Sequence, residues 1–213
     1  MSTTPQVDEP IDGRTARAVR TRDALVDATI ALVEEGDPRP TAPRIAERAG
    51  VSVRSVFQHF ADLETLFSAM GTRVVERLAT YIHPIDPGAP LAWRVEEFVR
   101  QRCAVCEAVT PINRAAMGYA PRSATIAGQF RAGHSFTAAQ VAETFASELD
   151  VVGSQRATLA DGLLVATAWS TWNLLRAMDH RDVEEATATV RGLVDLALAG
   201  AGITLDVADR EPM

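Results

Sequence analysis

The residues best equipped for chemistry stand in one run, Ser52-Val53-Arg54-Ser55-Val56-Phe57-Gln58-His59. Hydroxyl, guanidinium, amide and imidazole groups here supply hydrogen-bond donors and acceptors and one permanent positive charge. At helical spacing Val53, Arg54, Ser55 and Gln58 face outward, where a recognition helix meets base edges. The chemistry on offer is recognition rather than bond making.

Such a run must be held at a fixed angle, and the residues before it supply the means. Ile45-Ala46-Glu47-Arg48-Ala49-Gly50-Val51-Ser52 reads as a helix, a stop and a new start. Gly50 takes the left-handed conformation that ends the first helix without strain. Ser52 offers its hydroxyl as N-cap of the second. Ala46 is small enough for a close crossing, and Ile45, Ala49, Val51 and Val56 supply the apolar contact. The pattern is a helix-turn-helix.

Composition narrows the classes. The 213 residues can bury a full core, 47% are hydrophobic, and no stretch reaches the roughly 18 apolar residues of a membrane span. The first residues are polar and acidic, without a signal-peptide pattern, so a cytoplasmic location is expected. Net charge is −7, an unusual sum for a nucleic-acid binder. Its distribution resolves the conflict: residues 13–60 carry eight Arg against six acids, residues 61–213 thirteen Arg against nineteen. Cys103 and Cys106 read as small apolar helix residues, with a thiol sensor as the alternative. No Gly-rich phosphate loop, nucleophile elbow or metal cluster occurs, so neither an enzyme nor a cofactor or metal site is expected.

The period is helical throughout, and the expected fold class is all-α. A disordered arm is expected over 1–13, a helix-turn-helix domain over 14–61, and a larger domain over 62–213. Thr41 caps the second helix, with Pro43 in its first turn. Asp62 caps a long helix reaching about Tyr81. After a loop with Pro84, Pro87 and Pro90, helices are expected over 91–109, 113–119, 123–149, 154–178 and 182–199. The last two carry more apolar surface than one chain easily covers, including Trp169, Trp172, Leu174, Leu175, Val190, Leu193 and Val194. Pairing with their symmetry mates in a homodimer would bury it; a well-buried monomer core is the alternative.

The stretch Thr41 to Phe67, TAPRIAERAGVSVRSVFQHFADLETLF, resembles the N-terminal signature of the TetR family of bacterial transcriptional regulators. The shared features are the opening threonine, Ile-Ala-x-x-Ala-Gly-Val-Ser, an aromatic three residues before a phenylalanine, His-Phe, and Leu-Phe in the fourth helix. The resemblance implies a cytoplasmic homodimeric repressor that binds a palindromic double-stranded DNA operator and is released by a small, mostly apolar effector. On it, Thr41 contacts phosphate, Ser52 caps the recognition helix, and Val53, Arg54 and Ser55 face the major groove. Arg54 pairs with guanine. Gln58 reads adenine or binds phosphate, His59 lies near phosphate, and Arg14, Arg17 and Arg20 reach the backbone or minor groove. Phe57 departs from the family's usual tyrosine and Leu63 from its frequent lysine. Those departures motivate a second function class, a dimeric ligand-binding or protein-interaction module with weakened or lost DNA binding.

The resemblance also implies a pocket in the C-terminal domain. Phe130, His134, Ala138, Val141, Phe145 and Leu149 form an apolar stripe whose polar member is His134, either a core histidine or a ligand contact. Arg102 shares a face with Val95, Val99, Cys106 and Val109; it pairs with an acid such as Glu107 or Asp161, or meets an acidic ligand. Trp169, Trp172 and Asn173 are candidates to line the same cavity, with Met117 and Tyr119 as a side wall; plain core packing is the alternative for the two tryptophans.

Overall fold

The computed structural model describes residues 13–205. Residues 1–12 of the expected arm lie outside the described residues, and Gly13 is already helical. The elements are α1 (Gly13–Glu34), α2 (Ala42–Ala49), α3 (Val53–His59), α4 (Leu63–Leu78), α5 (Leu91–Met117), α6 (Ala124–Thr144), α7 (Ala146–Val151), a short 3-10 turn (Gly153–Gln155), α8 (Arg156–Ala166), α9 (Trp169–Ala177) and α10 (Val183–Gly200). The fold is all-α, with no strand among the described residues. Two compact units, Met1–Arg73 and Val74–Met213, divide within α4.

In the first unit, the second half of α1 buries Leu25, Val26, Ile30 and Val33, while its opening turns are mostly exposed. Ile45, Ala46, Val56, Phe60, Leu66, Phe67 and Met70 are buried with them. Burying each large apolar side chain contributes roughly 1.5–3 kcal/mol, which offsets the ordering of short helices such as α2 and α3 that would not persist alone. Asp62 starts α4: its Oδ1 accepts from the Thr65 N–H at 2.7 Å and the Thr65 hydroxyl at 2.8 Å. Arg73 ties α4 to α1 through Asp23 at 2.5 Å and Asp27 at 3.3 Å.

In the second unit, α5, α8 and α10 bury Val95, Phe98, Val99, Leu163, Val190 and Val194 in one core, joined by Phe145, Leu149 and Trp172. A methyl group at Gly162 would stand 3.4 Å from the Ala197 Cβ, so this glycine lets α8 and α10 approach closely. A capping box at Asp182 and Glu185 starts α10.

Three expected boundaries are corrected. The helices expected over 91–109 and 113–119 are one, because α5 runs through Pro111. Proline deprives the Glu107 carbonyl of its helical donor, but buried Ile112, Ala115 and Ala116 hold the downstream turns. The helix expected over 123–149 breaks at Phe145, at φ −111° and ψ 26°. The Phe145 ring sits edge-on to Phe98, with centroids 5.3 Å apart. The helix expected over 154–178 breaks at Thr167-Ala168, where Ala168 is extended.

Candidate nucleic-acid interface and effector site

The helix-turn-helix is built as its residue types dictate. Gly50 is left-handed at φ 66°, and two reversed bonds close α2: Gly50 N–H to the Glu47 carbonyl at 3.1 Å, and Val51 N–H to the Ala46 carbonyl at 2.9 Å. Ser52 caps α3, its Oγ accepting from the Ser55 N–H at 3.2 Å. Val56 is buried on the inner side of α3. On the outer side Val53, Arg54, Phe57 and Gln58 are exposed, while Ser55 and His59 are half-buried. Phe57 is 52% exposed, a large apolar surface on a helix otherwise fit for polar contact. Thr41 occupies the N-cap of α2 without a side-chain capping bond, so its hydroxyl is not engaged by the helix it starts.

The arginines divide into two sets. Arg44 pairs with Asp37, and Arg48 with Glu35. That pairing holds the Glu35 carboxyl below the usual carboxylate range, through the Arg48 hydrogen bond first. Arg22 donates from Nη1 to the His59 carbonyl at 2.9 Å, with its guanidinium carbon 4.2 Å from the Phe60 ring centroid. Arg17, Arg20, Arg39 and Arg54 have no ion pair among the described residues, and all are exposed. Arg22 is the residue that sequence reasoning missed in this unit. Its contacts with α3 lie 37 positions away, and nothing local marks them.

In the second unit the proposed pocket set separates. Arg102, Cys106 and Trp172 line one tight, closed crevice, together with Cys103, Thr167, Ala168 and Val190. Phe130 and Trp169 meet each other, with centroids 6.3 Å apart, and the Trp169 Nε1–H donates to the Thr110 hydroxyl at 3.1 Å. Asn173 accepts from Arg114 Nε at 2.8 Å. Met117 and His134 are exposed, which corrects their placement on a pocket wall and on a buried stripe. From Arg131 to Phe136 every α6 residue is exposed, so the middle of that helix is uncovered on all sides among the described residues. Cys103, Thr167, Ala168 and Val190 were missed; the break that gathers two of them leaves no sequence signal.

The expected partners of Arg102 are also corrected. Glu107 belongs to Arg176, which donates from Nε at 3.1 Å and Nη2 at 2.9 Å, and to the Trp172 Nε1–H at 2.8 Å. The Arg176 hydrogen bonds lower the Glu107 carboxyl pKa, against its burial. Asp161 is exposed. Arg102, 6% exposed, has no carboxylate partner among the described residues. Its Nη2 reaches only the Thr167 carbonyl at 3.4 Å and Cys106 Sγ at 3.7 Å, and its buried Nε has no hydrogen-bond partner. The two thiols stay protonated at neutral pH, because burial pushes Cys103 to about 12 and raises Cys106 as well. They act as apolar lining, not as reactive thiolates.

A capped helix with outward polar groups, set at a glycine turn, has the geometry of a helix-turn-helix module, the class of element that docks in a DNA major groove. Residues 25–70 match the family model for bacterial regulatory proteins of the tetR family. The match covers the helix-turn-helix module and the start of α4, so this part of the chain is similar to the DNA-binding module of that family. Solved structures are similar over most of the chain's length. A transcriptional regulator from Rhodococcus sp. Rha1 has a TM-score of 0.64 at 17% identity, covering 88% of this chain and 98% of its own. A protein from Mesorhizobium loti MAFF303099, assigned to the TetR family of transcriptional regulators, has a TM-score of 0.58 at 17% identity, covering 86% and 98%. At those identities the likeness speaks to the fold. No curated protein sequence matches the chain. No helix among the described residues is long and apolar enough to cross a membrane.

Proposed function

We propose that the protein is a homodimeric repressor that binds a palindromic operator through α3 and is released by a small effector bound in its second unit. The observation that carries the DNA-binding part is the exposed face of α3, where Arg54 has no internal ion pair while Arg44 and Arg48 of α2 do. Thr41, Ser52, Val53, Arg54, Ser55, Phe57, Gln58, His59 and Arg17 form the proposed DNA surface. Of these, Arg54 is the side chain able to make a bidentate pair with guanine.

Homodimerisation through α8, α9 and α10 is supported by apolar side chains exposed on them: Val165, Leu174, Met178, Leu193 and Leu196. Large apolar side chains left exposed on these helices would be covered by pairing with a second copy, as exposed apolar patches are at interaction sites. Two α3 helices in one dimer would then read half-sites one helical turn apart. The effector part rests on the crevice beside Arg102. A gel shift with DNA flanking the protein's own gene tests the reading. A retained fragment at low salt is expected, and no retained fragment contradicts DNA binding.

A further inference from the structure

We infer that the effector is a small apolar organic acid whose carboxylate seats on the side edge of the Arg102 guanidinium. The inference rests on reading the second unit as an effector domain.

Two other arginines in this unit show what that edge ordinarily holds. Arg100 grips Glu97 through Nε at 2.9 Å and Nη2 at 2.6 Å. Arg176 grips Glu107 by the same two nitrogens. The third buried-side comparison is Arg94, 4% exposed and fully engaged. Its Nε donates to the Ala89 carbonyl at 2.8 Å, and its Nη1 and Nη2 donate to the Glu148 carboxylate at 2.8 and 2.6 Å. Arg102 is as buried as Arg94, yet its Nε bonds to nothing and its Nη2 has one long carbonyl contact and one to sulfur. A buried guanidinium in that state is costly, and a carboxylate on the Nε–Nη2 edge would satisfy both donors and the charge together.

The surroundings define the rest of the molecule. Cys103, Cys106, Ala168, Trp172 and Val190 give the crevice apolar walls; these are closed together in this structure, so the body of the ligand must be small and must part them to enter. One guanidinium matches one negative charge; a phosphate dianion would bring a second charge into the same apolar walls without a partner. The site also touches a structural joint. The Thr167 carbonyl that Arg102 contacts lies in the break between α8 and α9. A carboxylate taking over the Arg102 donors releases that carbonyl and lets the joint shift. The helices on either side of the joint carry the exposed Val165 and Leu174, so the shift would reach the proposed dimer face.

Titration calorimetry on the full-length protein with benzoate and hexanoate, against benzamide and hexanamide, tests this. The acids are expected to bind at least about tenfold tighter than their amides, the scale of a charge-assisted bidentate pair. Arg102→Met should abolish that preference and should melt no lower than the parent, because it removes a poorly compensated buried charge. Equal binding of acid and amide, no binding of either up to about 10 mM, the weak end of measurable affinities, or a preference that survives Arg102→Met overturns the inference. If Arg102→Met does not fold, the acid-to-amide ratio of the parent protein decides alone. A gel shift run alongside separates this from the regulator reading. Release of DNA by the amides without acid preference overturns the acid inference and leaves the regulator standing. An Arg102-dependent acid preference in a protein that never binds DNA supports the acid inference and removes the regulator.

Discussion

Arg22 on α1 closes the C-terminal end of α3: its Nη1 donates to the His59 carbonyl at 2.9 Å while its guanidinium lies over the Phe60 ring. A cation at a helix C-terminus opposes the negative end of the helix dipole, and the stacked ring fixes the height at which it sits. The recognition helix is only seven residues long, so its angle depends on such external holds. Arg22→Gln should therefore weaken DNA binding several-fold while costing about 1–2 kcal/mol of stability. Anisotropy titration and urea unfolding read the two effects. Unchanged DNA affinity would show that Arg22 does not position α3.

The helix-turn-helix was legible in the sequence because its signals are local. Gly50, Ser52 and the apolar spacing around them act within one or two turns. Arg22 was not legible, because it acts on residues far along the chain. The α8–α9 break was hidden for a related reason. Thr167 and Ala168 carry no stop signal; the Thr167 hydroxyl donates locally to the Leu163 carbonyl at 2.8 Å, and the contact across the fold comes from Arg102, which donates to the Thr167 carbonyl. Pro111 misled in the opposite direction. It is a local stop signal that packing on both sides overrides. His134 shows the limit of periodicity: the stripe was real at Val141, Phe145 and Leu149, but nothing among the described residues covers the helix where His134 stands.

The Arg94–Glu148 pair locks α5 to the start of α7 in a buried setting. Removing one partner leaves the other charged and unpaired, so Arg94→Met should cost about 3–5 kcal/mol in urea unfolding. Burial alone would raise the Glu148 carboxyl; the hydrogen bonds and charge of Arg94 outweigh it and hold the pKa below the ordinary 4.5. The lowered value means the pair's stabilisation is full above the unfolded-state pKa and is lost as pH falls through the folded one. Thermal melts of the parent should thus drop below about pH 4.5 more steeply than those of a Glu148→Gln variant. Parallel curves would show that Glu148 does not carry this acid sensitivity.

The dimer face gives a third test. Leu174 is 54% and Leu196 69% exposed, so Leu174→Glu with Leu196→Glu should leave the helical content of the single chain intact. Light scattering after size exclusion should show a dimer for the parent and a monomer for the variant. A parent that is monomeric at micromolar concentration contradicts homodimerisation.

On the proposed DNA surface, Phe57 and Leu63 stand where a hydroxyl and a charge would strengthen phosphate anchoring. Leu63→Lys should steepen the dependence of log affinity on log salt by about one unit per bound half-site. Phe57→Tyr adds a neutral hydroxyl and should tighten binding with little change in slope. Identical salt slopes for Leu63→Lys and the parent would place residue 63 away from phosphate.

The central claim is that α3 reads sequence through Arg54, and selection of bound fragments from random DNA tests it most directly. The parent protein should enrich a palindrome with a guanine in each half-site. Arg54→Ala should relax that position by about 1–3 kcal/mol while keeping the palindrome. Enrichment of no sequence by the parent, or of the same guanine by Arg54→Ala, would contradict the account.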